Sequence, residues 1–162
     1  AEETLCVTDN YYAVPEVILT KDSSIKSKED LEGKTVGSHA GSTSEYAVQS
    51  LLDEGINLNS APYNRHSEAF ADLQNGNIDA QVVEETWAKQ KMQDGDGIIM
   101  LEEPINTINA AGVIGHGKVK FTEAYNKALQ ELKDDGTLTK LSKKWFGQDT
   151  APEDDRFEKT IN

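Results

Sequence analysis

Cysteine is nearly absent from this chain: Cys6 is the single one among 162 residues, so no internal disulfide can form. A disulfide framework is excluded, and Cys6 is expected to act as a small buried hydrophobe. Arginine is almost as scarce, found only at Arg65 and Arg156, which leaves little for bidentate capture of anions. Cations as a whole are outnumbered, with 16 Lys and Arg against 29 Asp and Glu and a formal charge of −13. So negative a field argues against nucleic acid and anionic membranes as partners. Long apolar runs are missing as well: Val17 to Leu19 and Ile98 to Leu101 are of strand length, far short of the roughly 18 residues a membrane span needs.

The chemistry of catalysis is equally thin. His39, His66 and His116 stand apart, with no H-x-x-x-H or H-E-x-x-H spacing to set two on one helix face, so no metal site is expected. There is no G-x-S-x-G elbow, no P-loop lysine and no third glycine of a dinucleotide fingerprint. Neither enzymatic activity nor a cofactor is expected. Sequons, low-complexity tracts and solenoid-period repeats are absent too. The opening Ala1-Glu2-Glu3 is like the start of a secreted mature chain, although an arbitrary chain boundary would look the same.

What is present is an alternation of strand and helix signals. Thr35-Val36 leads into small polar residues around Gly41, after which Ala47, Val48, Leu51 and Leu52 recur with helical spacing. That pattern gives a strand, a tight loop and a helix. Upstream, Glu16 to Thr20 reads as a strand beyond Pro15, and Ser27 caps a short helical turn that Gly33 ends. Downstream, Asn57 to Asn64 is a loop with a short strand near Tyr63. Ser67 caps a helix carrying Ala69, Phe70 and Leu73, which Asn75-Gly76 ends. Ala80 to Val83 is a buried strand, followed by Glu84-Glu85 and a helical segment from Trp87 to Met92. Asp94 to Gly97 is a turn, Ile98 to Leu101 a strand, and Glu102 to Asn109 an extended connection. This alternation predicts α/β layers with a largely parallel sheet. From Phe121 a long amphipathic helix carries Ala124, Tyr125, Ala128, Leu129 and Leu132 on one stripe. Gly136 ends it, and Thr137 caps a second helix with Leu138, Leu141, Trp145 and Phe146 on its apolar face. Both Trp87 and Trp145 are expected in the core, and residues 148 to 162 form a loose acidic tail.

Two places carry polar groups suited to a ligand. The first backbone N–H groups after Gly41, with the hydroxyls of Ser42, Thr43 and Ser44, form a seat for a carboxylate. Local sequence alone favours a simpler role, with Ser42 or Thr43 capping its own helix and Glu45 closing a capping box from Ser42. Glu84, just after its strand, offers an acceptor for a cation, although an acidic pair also suits a helix start without any ligand. In an open α/β sheet both places lie outside the carboxyl ends of strands, where ligands collect. A zwitterion such as an α-amino acid satisfies both. His39 is either a contact for such a ligand or a solvated loop residue.

Four segments then match a known pattern. They are D-N-Y-Y near residue 9, S-K-E-D-L-E-G-K-T-V-G-S-H-A-G-S-T-S-E from Ser27, E-A-F-A-D-L-Q-N-G-N-I-D-A-Q-V-V-E from Glu68, and A-Y-N-K-A-L-Q-E-L-K-D-D-G-T-L-T-K-L-S-K-K-W-F-G from Ala124. In this order and spacing the chain resembles the family 3 solute-binding proteins, the polar amino-acid-binding proteins of ABC importers with the type II periplasmic-binding-protein fold. The resemblance implies that Gly41, Ser42 and Thr43 meet a ligand α-carboxylate, that Glu84 receives the α-ammonium in place of the usual aspartate, and that His39 lies near the ligand side chain. It implies an extracytoplasmic amino-acid-binding function with importer membrane subunits as partners.

The family has two lobes, and the resemblance covers one complete α/β lobe plus the C-terminal helices of the other. It divides the chain into a crossing segment over 1–13, the ligand-binding lobe over 14–109, a return strand and two helices over 110–147, and an acidic tail over 148–162. The opening lobe, with its aromatic clamp and carboxylate-gripping arginine, has no counterpart, so ligand binding is expected to be weak. The apolar stripe from Phe121 to Phe146 would then either fold back on the remaining lobe or be covered by a homodimer or domain swap, the second being favoured. Two rivals share this fold: a sensor or protein-interaction module that has lost transport, and an enzyme of the dehydratase type using His39.

Overall fold

The apolar run Val17-Ile18-Leu19 contains no polar interruption, the pattern of a strand covered on both faces. In the computed structural model, which describes residues 5–93 and 95–152, all three side chains are buried. Val17 and Leu19 join one apolar cluster, and Ile18 the other. The opening tripeptide, Asp94 of the expected turn and the tail beyond Pro152 lie outside the described residues.

Ten elements precede the closing helices. They are β1 (Cys6–Thr20), a 3-10 turn (Lys28–Leu31), β2 (Thr35–His39), α1 (Thr43–Asp53), β3 (Asn59–Tyr63), α2 (His66–Asn75), β4 (Ala80–Glu84), α3 (Glu85–Lys91), β5 (Ile99–Met100) and β6 (Asn106–Ile114). The closing helices are α4 (Val119–Asp134) and α5 (Thr137–Phe146). Contacts divide the chain into two compact units, Pro15–Ile108 and the flanking stretches up to Val14 and from Asn109 onward.

In the Pro15–Ile108 unit the strands run β3-β2-β4-β1-β5. The pairs β2–β3 and β2–β4 are parallel, and β1 adds antiparallel pairings with β4 and β5. One face of this sheet packs on α1 through Ile18, Val36, Val48, Leu51 and Val82. The other face packs on α2 and α3 through Val17, Leu19, Ala69, Phe70, Leu73, Val83 and Ala88. Each such side chain, moved fully out of water, contributes about 1.5–3 kcal/mol. The close fit of α2 to β2 depends on Gly37, where a Cβ would stand 2.6 Å from Ile78 Cδ1.

Several local expectations are corrected. β1 begins at Cys6 and runs through Pro15, because its ladder with β4 starts only at Glu16 and the missing N–H of Pro15 breaks no bond there. Pro62 is likewise tolerated in β3, the edge strand. Ser67 lies inside α2, whose N-cap is Arg65, and Thr137 is the first residue of α5, capped by Gly136. Glu102 to Asn109 does not stay a plain connection, since β6 begins at Asn106. Cys6 is half-buried and unbridged.

In the other unit β1 and β6 meet where the Gly112 N–H donates to the Thr8 hydroxyl at 2.7 Å. The expected apolar stripe of α4 is present, yet only Leu129 of it is buried and Phe121 is 59% exposed. Trp145 is 69% exposed rather than in the core. Tyr11, Tyr12, Leu138, Leu141, Trp145 and Phe146 line an apolar depression of about 220 Å³. The stretch after α5 is tied down as far as it is described: Thr150 is buried, its carbonyl accepts from Ala13 N–H at 2.9 Å, and its N–H donates to Ser142 Oγ.

Candidate functional site

Two parallel neighbours, β2 and β4, end side by side at His39 and Glu84. The chain leaves the two strands in different ways. After β2 it turns through Gly41, at a positive φ of 72°, and enters α1 at Thr43. After β4 it passes directly into the short helix α3, with Glu84 as the N-cap residue. The carboxyl end of the sheet therefore sets the first turn of an eleven-residue helix beside a carboxylate.

The hydroxyls of this turn are not caps. Ser42 is the N-cap of α1, but its Oγ donates to the His39 carbonyl at 2.7 Å and pairs with Ser44 Oγ at 2.8 Å. Ser44 Oγ in turn accepts the His39 N–H. Thr43 Oγ1 donates to Glu16 Oε1 at 2.5 Å. Nor does Glu45 close the expected box onto Ser42: its carboxylate accepts the Gly41 N–H at 2.6 Å, one residue earlier. The loop hydroxyls are consumed in shaping the turn. Among the described residues, the N–H groups of Thr43 and Ser44 have no acceptor. These two amides, at the positive end of the α1 dipole, are unpaired donors, Thr43 half-buried and Ser44 buried.

Glu16 was not singled out in the sequence, and the structure brings it to this place. It lies opposite Glu84 in the antiparallel β1–β4 ladder, so both side chains leave the same face of the sheet, the face that α1 covers. Glu16 is fully buried, and its Oε2 has no hydrogen-bond partner. Burial pushes its carboxyl up from 4.5 to about 7; the Thr43 hydrogen bond pulls the other way, and the neighbouring Glu84 charge adds to the rise. The signal available in the sequence was a lone acid at the head of an apolar strand.

An aromatic row borders the junction. The ring of His39 stands edge-on to His66 at 4.8 Å between centroids, His66 lies 5.6 Å from Trp87, and Trp87 meets Phe70 edge-on at 5.6 Å. Burial, and secondarily His39, holds the His66 imidazole below its usual 6.5. His66 Nδ1 and Gln81 Oε1 are buried without partners, while Gln81 Nε2 donates to the His66 carbonyl at 3.0 Å. Of the residues expected from sequence, His39, Gly41, Ser42, Thr43 and Glu84 all fall at this one end of the sheet; His66 and Trp87, which sequence reasoning left out, complete it. Among the described residues no group of His, Cys, Asp and Glu is arranged to hold a metal.

A polar seat beyond the parallel strands of an open α/β sheet defines a ligand-binding architecture, here that of the type II periplasmic binding proteins. Residues 2–148 match the family model for bacterial extracellular solute-binding proteins, family 3, and the chain belongs to that family. It is 33% identical over 142 residues to the arginine-binding extracellular protein ArtP of Bacillus subtilis, covering 86% of this chain and 55% of ArtP. It is 31% identical over 146 residues to the ABC transporter arginine-binding protein 1 of Escherichia coli, covering 87% of this chain and 59% of that one. Among solved structures, an ancestral arginine-binding protein bound to glutamine superposes with a TM-score of 0.69 at 34% identity, over 89% of this chain and 64% of that one. The chain thus spans a little over half the length of these curated relatives. Family members are extracellular or periplasmic binding proteins of transporters, not enzymes. Among the described residues no helix is long and apolar enough to cross a membrane.

Proposed function

We propose that this chain binds an α-amino acid outside the cytoplasm, as part of an ABC-type importer system. The ligand α-carboxylate sits on the Thr43 and Ser44 amides, its α-ammonium meets Glu84, and His39 borders its side chain. One observation carries the reading: two unpartnered N–H groups of the α1 first turn lie at the end of β2, whose parallel neighbour β4 ends at Glu84. Positive partial charge and a carboxylate so placed match the two ends of a zwitterion. Gly41 and Ser42 shape the seat rather than donate to the ligand, since their groups are already engaged. The relatives named for arginine and the ancestral protein bound to glutamine support an amino-acid ligand. With two amides and one carboxylate as its polar contacts, the seat holds ligand weakly.

An NMR titration against the twenty amino acids, L-arginine and L-glutamine first, tests this. Amide shifts clustered at residues 42–44 and 84 are expected; none at millimolar ligand would refute the reading. The exposed apolar residues Phe121, Leu141 and Trp145 favour a second reading for that region alone, a homodimer or domain swap through Phe121 to Phe146. Light scattering that shows a monomer at every concentration would exclude it.

A further inference from the structure

Two acids at one point of a sheet, with no cation between them, pose an electrostatic problem. Like charges on directly opposed residues of an antiparallel pair stand only about 5 Å apart at Cβ and destabilise each other. Glu16 and Glu84 occupy such a pair, and neither is joined to a lysine or arginine among the described residues. One carboxyl oxygen, Glu16 Oε1, is satisfied by the Thr43 hydroxyl, and the other, Oε2, is buried and unpartnered. A buried carboxylate whose second oxygen lacks a donor costs more than the neutral acid in the same place.

From this geometry, and resting on the binding reading above, we infer that Glu16 holds a proton in the empty protein and that a ligand ammonium group arriving at Glu84 displaces it. Glu16 is the positioning residue here: it acts on the ligand through Glu84 and does not itself touch it. In the empty site the proton resides on Glu16 Oε2. When the ammonium arrives at Glu84, it offsets the Glu84 charge and sets a positive group near the buried Glu16 carboxyl, which favours the carboxylate, and the Glu16 proton leaves to solvent. Charge balances, with one positive group gained and one proton released. The elevation of the Glu16 carboxyl to about 7 agrees with this arrangement. Affinity for an ammonium-bearing ligand therefore rises with pH until Glu16 ionises unaided.

The other ionisable groups on the surrounding elements are known. Glu45 on α1 is held by the Gly41 amide, His39 ends β2, and His66 sits on α2 against His39. On α3, Glu85 is ion-paired with Lys89 at 2.7 Å. Glu102 and Glu103 lie on the segment between β5 and β6. Because histidine as a residue type ordinarily changes charge near neutral pH, a variant confined to Glu16 is needed to isolate the Glu16 proton.

The test is an NMR titration with L-glutamine, whose side chain is neutral, at about pH 5.5 and about pH 8. The Kd of the unaltered chain is expected to fall at least about tenfold across that interval. In Glu16→Gln the two values should agree within about a factor of two, because residue 16 then has no proton to release. N-acetyl-L-glutamine, which lacks the ammonium, should not show the fall. Independently of any variant, the Glu16 side-chain carboxyl carbon of the empty protein should titrate near 7 and shift its midpoint downward when L-glutamine is bound. A pH-independent Kd with shifts still clustered at Thr43 and Glu84 would overturn the proton release from Glu16 and leave the binding reading standing. A Glu16→Gln variant as pH-dependent as the parent, or a Glu16 carbon titrating in the ordinary carboxyl range, would also overturn it. Absence of L-glutamine shifts at either pH would overturn this inference, and absence with all twenty amino acids would overturn both.

Discussion

Replacing Glu16 by Gln should stabilise the folded chain at alkaline pH and leave it nearly unchanged in acid. A carboxyl whose pKa is higher in the folded chain than in the unfolded chain holds its proton more tightly when folded. Its contribution to stability is therefore fully present below about 4.5 and is lost as pH rises toward and through about 7. A rise from 4.5 to about 7 corresponds to roughly 3 kcal/mol, at about 1.4 kcal/mol per pH unit. The amide of glutamine keeps the size of the side chain and an oxygen to accept from Thr43 Oγ1, and it cannot ionise beside Glu84. Urea denaturation at steps between about pH 4.5 and about pH 8.5 measures the effect. The parent should lose up to roughly 3 kcal/mol more than Glu16→Gln across the series, and the two curves should converge at the acid end. Parallel curves, or a variant less stable than the parent at about pH 8, would refute the assignment of Glu16 as a buried, proton-bearing acid.

Three other outcomes are expected from the same structure. Gly37→Ala should cost about 1–3 kcal/mol in urea denaturation, because the added methyl would collide with Ile78 Cδ1 at 2.6 Å and crowd Ala69 and Tyr63 at 3.3 Å. His66 should titrate below 6.5 by NMR, and His39→Gln should move its midpoint upward by removing a neighbouring positive charge. Glu45→Ala releases the Gly41 N–H from the carboxylate that now holds it, so carboxylate-bearing ligands should bind several-fold more tightly in the amino-acid titration.

The main features of the site could be read in the sequence because they depend on local spacing. A β-branched pair, a positive-φ glycine and a helical apolar repeat place the α1 turn at a strand end, and an acid directly after Val82-Val83 does the same for Glu84. The fold class was legible for the same reason. What escaped was decided by partners far apart in the chain. Ser42 and Thr43 suit the capping role by residue type, yet their hydroxyls turn toward the His39 carbonyl and Glu16, the latter a residue 27 positions away. Burial of Glu16 comes from α1 covering β1, which no window around Pro15 reveals. The row His39, His66, Trp87 draws on three separate elements. Trp145 was misplaced because an amphipathic stripe shows which side chains share a helix face and not whether anything covers that face.

The contact between Trp87 and His66 makes the candidate site readable by light. The chain has two tryptophans, and they lie in different compact units: Trp87 beside the His66 ring at 5.6 Å, Trp145 largely in solvent. A protonated imidazole quenches an adjacent indole, so the emission of Trp87 tracks the ionisation of His66, while Trp145 contributes a solvent-like background. A Trp145→Phe chain is thus a single-fluorophore instrument for the carboxyl end of the parallel strands, with no label to attach.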